Sequence, residues 1–136
     1  MYHDRMMVMI VDDNPRMRAM IRAILEADDI ATCECADGAE AVAHYAAFRP
    51  DWVLMDIEME PMDGFEASAA IISRDPVANI VIVTQHDHPA FREKARSIGT
   101  KQYVLKERLR DLVPILRPDR RDTPRPARGS TTPSSR

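Results

Sequence analysis

Short apolar runs alternate with longer segments of helical periodicity along most of the chain. The runs are nearly continuous, a pattern typical of strands that are buried on both faces of a parallel sheet. The first run reads MMVMIV and the fourth reads NIVIV. The pattern predicts five strands, at residues 6–11, 30–35, 52–55, 79–83 and 102–105.

The segments between these runs place apolar residues at helical spacing. The first segment follows Asn14, which can cap a helix, and begins with Pro15, which suits a first turn. The fourth opens at Pro89 and closes at Gly99. The predicted helices cover residues 15–27, 38–48, 65–73 and 90–98.

A fifth helix is predicted over residues 107–116, but Pro114 interrupts it. Inside a helix, proline lacks an N–H donor and its ring clashes one turn back, which costs about 3 kcal/mol. We therefore expect this helix to end or kink near Val113. Beyond it, periodicity disappears and Pro, Arg, Ser and Thr dominate. Residues 5–116 are thus predicted to form the domain, and residues 117–136 a disordered tail or linker.

Alternating strands and helices predict an α/β fold with a doubly wound, five-stranded parallel sheet. Parallel neighbours need long crossover connections, and these are nearly always right-handed, so that helices cover both faces of the sheet. Ligands of such folds bind beyond the carboxyl ends of the strands, near the point where the strand order reverses. The chemistry of this protein is therefore expected at the strand ends.

Composition narrows the classes of partner. Residues 117–136 hold six Arg and two Asp, which leaves 13 of the 19 basic and 20 of the 22 acidic residues in residues 1–116. An acidic domain is a poor candidate for direct binding to nucleic acid, and the basic tail is interpreted as a solvated linker. No apolar run approaches the roughly 20 residues of a membrane-spanning helix, and no signal-peptide layout is present. We therefore expect a cytoplasmic protein without a membrane segment.

Two candidate metal motifs are interpreted as structural. Cys33 and Cys35 are the only cysteines, and a C-x-C pair lacks the further ligands of a zinc site, so we expect reduced thiols on a strand. The HDH motif at residues 86–88 also lacks a third ligand. His88 stands before Pro89 and is interpreted as a helix cap.

Polar residues stand at four of the five predicted strand ends: Asp12 with Asp13, Asp56, Thr84 and Lys106. Parallel strands end side by side, so these side chains are expected to converge in one crevice. Carboxylates about 4 Å apart repel each other by on the order of 1 kcal/mol in water, and by about 4 kcal/mol at an effective dielectric of about 20. A divalent cation relieves that repulsion, and oxygen ligands with room for water suit Mg²⁺. The combination favours Mg²⁺-assisted phosphoryl transfer to an aspartate.

This set of residues resembles the receiver domain of two-component response regulators. The motifs that carry the resemblance are LMDIEMEPMDG around Asp56, NIVIVT up to Thr84 and QYVLK up to Lys106, together with the early acidic pair. The resemblance covers roughly residues 5 to 116. It implies a flavodoxin-like (βα)5 fold with the strand order 2-1-3-4-5. It also implies a phosphoacceptor signalling module without turnover of an external substrate.

By that resemblance Asp56 is the phosphoacceptor, and it also belongs to a Mg²⁺ site. Asp13 would hold Mg²⁺ directly, whereas Asp12 would act mainly through water. The backbone carbonyl of Glu58 would complete the protein ligands. The resemblance therefore assigns each acidic residue of the cluster a distinct role.

The resemblance also assigns the remaining strand-end residues and the partners. Lys106 would pair with the phosphoryl oxygens, Thr84 would move to hydrogen-bond them, and Tyr103 would be the switch aromatic whose rotamer follows Thr84. The implied phosphoryl donor is a histidine kinase or a histidine phosphotransfer protein. The implied downstream partner is a protein that binds the face formed by the fourth helix, the fifth strand and the fifth helix.

The chain departs from the family pattern at three positions. Glu60 stands where the family has proline, and Pro61 follows one residue later, which predicts altered loop chemistry without loss of the site. Glu107 replaces the common proline after the strand-end lysine. Gln85 replaces a small residue and is expected to narrow the access to the phosphoryl group. The expected modulators of that access are Glu58, Gln85 and His86.

Two alternative functions stay open from the sequence. A haloacid-dehalogenase-type phosphohydrolase also uses an aspartyl nucleophile and Mg²⁺, and Asp56-x-Glu58 imitates its D-x-D signature. In that family, however, no acidic pair precedes the nucleophile. The second alternative is a phosphorylation-independent interaction protein that uses the same face of the fourth and fifth helices. Its motivation is the unusual chemistry at Glu60, Gln85 and Pro114.

Overall fold

The computed structural model describes residues 5–118 of the chain. Five strands alternate with helices, and a 3₁₀ helix precedes the last α-helix. In chain order the elements are β1 Met7–Val11, α1 Pro15–Glu26, β2 Ala31–Cys35, α2 Gly38–Phe48, β3 Trp52–Met55, α3 Gly64–Arg74, β4 Ile80–Thr84, α4 Pro89–Ile98, β5 Gln102–Leu105, the 3₁₀ helix Lys106–Asp111 and α5 Leu112–Leu116. The predicted strands and the first four predicted helices are confirmed, with ends that differ by at most one residue.

The strands form one parallel sheet in the order β2-β1-β3-β4-β5. Val11 at the end of β1 pairs with Cys35 of β2 on one side and with Met55 of β3 on the other. Thr84 at the end of β4 pairs with Leu105 of β5. This register confirms the doubly wound α/β fold with the order 2-1-3-4-5. It also aligns the carboxyl ends of the strands along one edge of the sheet.

Side chains of the central strands pack on both faces of the sheet because successive residues point to opposite sides. Val8 and Ile10 of β1 pack with apolar residues of α1 and α5. Met9 and Val11 of the same strand pack with apolar residues of α2, α3 and α4. Helices thus cover both faces, which is the reason that the central strands are apolar throughout.

Side chains at the helix N-termini fix where the helices begin. Asn14 Oδ1 accepts a backbone N–H of α1 at 2.9 Å, and His88 Nδ1 accepts one of α4 at 3.0 Å. Asp63 and Glu66 form a reciprocal capping box at the start of α3. The caps predicted at Asn14 and His88 are therefore confirmed, and α3 begins immediately after the loop that follows β3.

Two expectations drawn from the composition, on the cysteines and on membrane helices, can be compared with residues 5–118. Cys33 and Cys35 are free thiols, as predicted. Burial raises the pKa of Cys35 to about 12, so this thiol stays protonated at neutral pH. Within residues 5–118, no helix has the length and apolar character that a membrane crossing requires.

The end of the domain differs from the prediction at Pro114. The expected break near Val113 is wrong, because the backbone leaves helical geometry earlier, at Arg108, where φ is −126° and ψ is 43°. The 3₁₀ helix ends at Asp111, and α5 follows directly at Leu112, with helical backbone angles at both residues. Pro114 therefore lies in the first turn of α5. Backbone N–H groups in a first turn have no intrahelical acceptor, so proline is tolerated there.

Arg117 lies close to the end of the described residues. Its Nε is 3.3 Å from Asp28 Oδ2, and one of its terminal nitrogens donates to the backbone carbonyl of Asp29 at 3.3 Å. Residues 119–136 of the predicted tail lie outside the described residues. The domain boundary at residue 116 and the character of the tail therefore stay predictions.

Replacing Pro114 by alanine tests its placement in a first turn. At that position alanine and proline differ little, so Pro114→Ala should change the free energy of unfolding by less than about 1 kcal/mol, measured by urea unfolding. Leu112→Ala is the contrasting variant. Its side chain is fully buried, so its removal should cost about 2–5 kcal/mol. A stabilisation of about 3 kcal/mol in Pro114→Ala would contradict the placement, because it would indicate a proline in a helix interior.

Candidate functional site

The carboxyl ends of four strands bring together the polar residues predicted from the sequence. Asp12 follows β1 and Asp56 follows the neighbouring β3, where its backbone N–H donates to the carbonyl of Val11 at 3.0 Å. Thr84 ends β4, and Lys106 follows the neighbouring β5. The parallel register therefore delivers these side chains to one edge of the sheet.

Three carboxylates form an acidic cluster, which consists of Asp12, Asp13 and Asp56. One carboxylate oxygen from each lies within 4.8 Å of the others. Asp12 and Asp56 are each only 2% exposed, whereas Asp13 is exposed. The acidic cluster therefore has a buried floor and one side that is open to solvent.

Lys106 neutralises part of the charge of the acidic cluster. Its Nζ lies 2.9 Å from Oδ2 of Asp12 and 3.4 Å from Oδ1 of Asp56. Burial by itself would lower the pKa of Lys106, but the hydrogen bond to Asp12 and the charge of Asp56 raise it above its ordinary value. Lys106 is thus a charged ammonium that bridges the two buried carboxylates.

Asp56 occupies an environment that disfavours its charged form. Burial, and after it the charge of Asp12, raise the pKa of Asp56 to about 6, although Lys106 and the backbone N–H of Glu58 act in the opposite direction. Its Oδ1 is buried and accepts no hydrogen bond from any of the described residues, since the contact with Lys106 is an ion pair at 3.4 Å. A carboxylate in this state gains from a further positive charge.

The donor set of the acidic cluster fits a hard divalent cation. Its donors are carboxylate oxygens, and the exposed position of Asp13 leaves space for water. Mg²⁺ prefers oxygen ligands and keeps several of its waters. The further expected ligand, Glu58, lies in the loop after β3 and borders the same depression as Asp13. The cluster is therefore suited to Mg²⁺, and the role of the Glu58 carbonyl stays a prediction.

Glu58, Gln85 and His86 form a hydrogen-bonded group, which we call the access strap. Gln85 Nε2 donates to Glu58 Oε1 at 3.1 Å, and His86 Nε2 lies 2.6 Å from Glu58 Oε2. Glu58 also lines a shallow depression of about 400 Å³ together with Asp13 and Glu60. The access strap therefore joins the loop after β3 to the loop after β4 at the open side of the acidic cluster.

Thr84 and Tyr103, the two predicted switch residues, contact the same residue of the loop after β4. Thr84 is fully buried, and its Oγ1 accepts the backbone N–H of His86 at 3.2 Å. The Tyr103 hydroxyl donates to the backbone carbonyl of His86 at 2.7 Å. The centroid of the Tyr103 ring lies 4.5 Å from Cζ of Arg92. His86 therefore links the access strap to both switch residues.

Two residues that support the site were missed in the sequence. Arg18 donates to the backbone carbonyl of Asp12 at 2.7 Å and pairs with Glu34 at 2.9 Å. The available signal was Glu34 itself, a charged residue in a predicted strand. Gly64 is the second, since a Cβ added there would lie 2.0 Å from the backbone oxygen of Asp56. The sequence shows the glycine but not this close approach.

Comparisons with known sequences agree with the geometry of the site. A sequence model of the family described as "Response regulator receiver domain" matches residues 8–117. The chemotaxis protein CheY of Listeria monocytogenes is 36% identical over 100 residues, which make up 73% of this chain and 84% of that protein. The match therefore extends over most of both chains.

Solved structures give the same result. A LuxR-family two-component response regulator from Aurantimonas sp. SI85-9A1 is 34% identical with a TM-score of 0.78, and the match covers 85% of each chain. A chain of the CheX-CheY-BeF3-Mg complex from Borrelia burgdorferi has a TM-score of 0.76 at 23% identity, and the match covers 82% of this chain and 88% of that one. The latter likeness concerns the fold alone. The strand order, the residues at the strand ends and these matches together show that the chain belongs to the response regulator receiver domain family.

Proposed function

We propose that this receiver domain takes a phosphoryl group onto Asp56 and that the resulting charge change switches a protein-binding surface. The observation that carries the proposal is the buried carboxylate of Asp56 beside Asp12, with the Lys106 ammonium in contact with both. Phosphoryl transfer to a carboxylate needs a positioned nucleophile and a fixed positive charge, and this arrangement contains both.

The proposed reaction moves a phosphoryl group from nitrogen to oxygen. A carboxylate oxygen of Asp56 bonds to phosphorus while the P–N bond of a phosphohistidine breaks and the imidazole leaves. Lys106 balances the charge on the transferred oxygens. When bound by the acidic cluster, Mg²⁺ supplies further positive charge to these oxygens. The same proposal includes direct ligation of Mg²⁺ by Asp13 and by the Glu58 carbonyl, and a contact of Asp12 with Mg²⁺ through water.

The proposed switch begins at Thr84. A phosphoryl group on Asp56 offers the buried Thr84 hydroxyl a strong acceptor. The backbone of His86 contacts both Thr84 and Tyr103, so a shift of Thr84 also changes the setting of Tyr103. Tyr103 borders the face of α4 and β5. A charge change at Asp56 can therefore reach the expected partner surface.

The proposed phosphoryl donor is a histidine kinase or a histidine phosphotransfer protein, and the proposed output partner is a protein that binds the face of α4, β5 and α5. The Borrelia burgdorferi structure is that of a CheX-CheY complex with BeF3 and Mg, which supports Mg²⁺ and a protein partner for a chain of this fold. The proposal includes self-dephosphorylation and no turnover of an external substrate. It also places the domain in the cytoplasm.

The two alternative functions are affected differently by these findings. Membership of the receiver family and the acidic pair Asp12–Asp13 in the cluster disfavour a haloacid-dehalogenase-type hydrolase. A phosphorylation-independent interaction protein would share all of the geometry described above. Labelling of the acceptor separates that alternative from the proposal.

Labelling with acetyl phosphate tests Asp56 as the acceptor. Radiolabelled acetyl phosphate should label the wild type in the presence of Mg²⁺ and leave Asp56→Asn unlabelled, because an amide lacks the nucleophilic oxygen. Asp37→Asn is the matched control, since Asp37 caps α2 and asparagine also caps helices. Equal labelling of Asp56→Asn and wild type would contradict the assignment. No Mg²⁺-dependent labelling of the wild type would favour the interaction alternative.

Stability in Mg²⁺-free buffer should fall as Asp56 ionises. The pKa of Asp56 is about 6 in the folded protein, compared with an ordinary value of 3.8. The folded state therefore holds this proton more tightly than the unfolded chain does. The wild type should lose free energy of unfolding relative to Asp56→Asn as the pH rises from about 4 to about 7.

Urea unfolding of both proteins across that pH range, with and without Mg²⁺, measures this effect. Mg²⁺ should stabilise the wild type at neutral pH, because a ligand that binds the folded state alone shifts the equilibrium towards it. Addition of Mg²⁺ should stabilise Asp56→Asn less than it stabilises the wild type. A difference between the two proteins that does not vary with pH would contradict the prediction.

Loss of the access strap should shorten the lifetime of phosphorylated Asp56. Gln85→Ala removes one of the two side-chain contacts between Glu58 and the loop after β4 and leaves the contact with His86, so the approach of water widens and phosphate release should become several-fold faster. Asn79→Ala is the control, because it removes an amide at the opposite end of β4. Release of radiolabelled phosphate after removal of the donor gives both rates. The amide of Gln85 does not limit access if both variants release phosphate at the same rate.

A further inference from the structure

Arg18 of α1 connects that helix to the loop after β1 and to the edge strand β2. Its Nη1 donates to the backbone carbonyl of Asp12 at 2.7 Å, and its Nε pairs with Glu34 Oε1 at 2.9 Å. The Arg18 side chain is only 18% exposed. A guanidinium presents its donors in a rigid fork, so acceptors on two different elements fix its orientation. Arg18 therefore ties the backbone of Asp12 to β2.

A second arginine of α1 holds Glu34 from the other side. Arg22, one turn after Arg18, pairs with the second carboxylate oxygen of Glu34. Burial by itself would raise the pKa of Glu34, but the hydrogen bonds from Arg22 and Arg18 lower it below its ordinary value. Within residues 5–118, the Arg22 side chain forms no other hydrogen bond or ion pair. Both arginines thus share Glu34, but Arg18 alone contacts Asp12.

Asp12 is held at each of its polar groups. Its backbone N–H donates to the carbonyl of Cys35 at 3.1 Å. Its Oδ1 accepts the backbone N–H of Asn14 at 2.8 Å, and its Oδ2 lies 2.9 Å from Nζ of Lys106. The contact with Arg18 engages the one remaining group, the backbone carbonyl. The position of Asp12 is therefore determined by contacts with several elements.

Asp13 differs from Asp12 because its side chain has no such support. Its carboxylate is exposed and forms no hydrogen bond or ion pair with any residue that the structure describes. One of its oxygens nevertheless lies within 4.8 Å of oxygens of Asp12 and Asp56. The peptide unit between Asp12 and Asp13 is planar, and its oxygen is the atom that Arg18 holds. The backbone that directs Asp13 towards the acidic cluster is thus fixed by Arg18.

We propose that Arg18 is a positioning residue of the metal site and that Glu34 acts through it. The hydrogen bond to the Asp12 carbonyl fixes the peptide between Asp12 and Asp13, and this aims the Asp13 carboxylate at bound Mg²⁺. Residues that orient a metal ligand without touching the metal commonly change metal affinity by about 10–100-fold when they are removed. The inference rests on the Mg²⁺ site of the proposed function and adds to it a residue that lies outside the acidic cluster.

Positioning and simple charge predict opposite signs for the loss of Arg18. A guanidinium beside the acidic cluster repels a divalent cation, so removal of its charge alone would strengthen Mg²⁺ binding. Loss of positioning would weaken Mg²⁺ binding, because the Asp13 carboxylate would no longer be held in place. A role in fold stability alone would leave the Mg²⁺ affinity of the folded protein unchanged. The sign of the change therefore separates the three roles.

Arg18→Met tests the positioning role. Methionine keeps an unbranched apolar stem and suits a helix, but it has no N–H donor. NMR titration of the full chain with Mg²⁺ should show an affinity about tenfold lower than that of the wild type. Arg22→Met is the matched control, since it removes the same charge and a pair with the same Glu34, and its affinity should stay within about twofold. Equal losses in both variants, or unchanged or tighter binding by Arg18→Met, would overturn the proposal.

Glu34→Gln is a second variant that leaves Arg18 in place and so tests the proposal even if Arg18→Met does not fold. The substitution weakens the hold on Arg18, so the Mg²⁺ affinity should fall several-fold. Glu40→Gln removes the same charge from α2 and should stay within about twofold. The amide of Asn14, which donates to Asp12, should exchange its hydrogen faster in Glu34→Gln without any metal. Equal affinities and equal exchange rates in the two variants would contradict the positioning role.

Mg²⁺-dependent labelling by acetyl phosphate separates this inference from the proposed function. Both stand if Arg18→Met needs about tenfold more Mg²⁺ than the wild type for half-maximal labelling. Positioning alone is overturned if the wild type binds Mg²⁺ and is labelled, and Arg18→Met matches it in both. Weaker Mg²⁺ binding by Arg18→Met, without labelling of either protein, supports positioning and contradicts the phosphoacceptor. A wild type that binds no Mg²⁺ overturns both, because there is then no metal site to position.

Discussion

Asp12 and Asp56 are two buried carboxylates bridged by Lys106, and holding them together is the main energetic demand that the site makes on the fold. Two like charges away from water are costly unless a cation lies between them, and Lys106 reaches both oxygens from the far side of the crevice. Their proximity follows from the register of β1 and β3, and the lysine arrives from β5. The apolar packing on both faces of the sheet stabilises an arrangement that is unfavourable by itself.

The loops around this pair are held by contacts between backbone and side chain. Arg18 holds the carbonyl of Asp12, and the backbone of Asp56 passes so close to Gly64 that no side chain fits between them. These contacts keep the buried oxygens in place while Asp13 remains in solvent. Rigid support on one side and an open approach on the other is the geometry that a positioned acceptor needs.

The access strap connects the loop after β3 with the two switch residues, Thr84 and Tyr103. Glu58 contacts His86 through its side chain, and His86 contacts Thr84 and Tyr103 through its backbone. Arg92 of α4 then lies over the ring of Tyr103 in β5. Every link is a hydrogen bond, an ion pair or a ring contact between neighbours. These contacts join Glu58, which borders the acidic cluster, to the ring of Tyr103.

Local patterns in the sequence specify the strands, the first four helices, the caps at Asn14 and His88 and the polar residues at the strand ends. Each of these is encoded in neighbouring residues, as periodicity, a capping side chain or a charge after an apolar run. Strand order was available only from the family resemblance, because periodicity does not say which strands are neighbours. Pro114 was misplaced for a related reason. Leu112 and Leu116 of α5 are buried among apolar side chains of the sheet, and those are long-range contacts. The raised pKa of Asp56, by contrast, could not be predicted from local patterns, and neither could the pairing of Glu58 with Gln85 or the close approach of Gly64. Burial and contacts between distant segments exist only once the chain has folded.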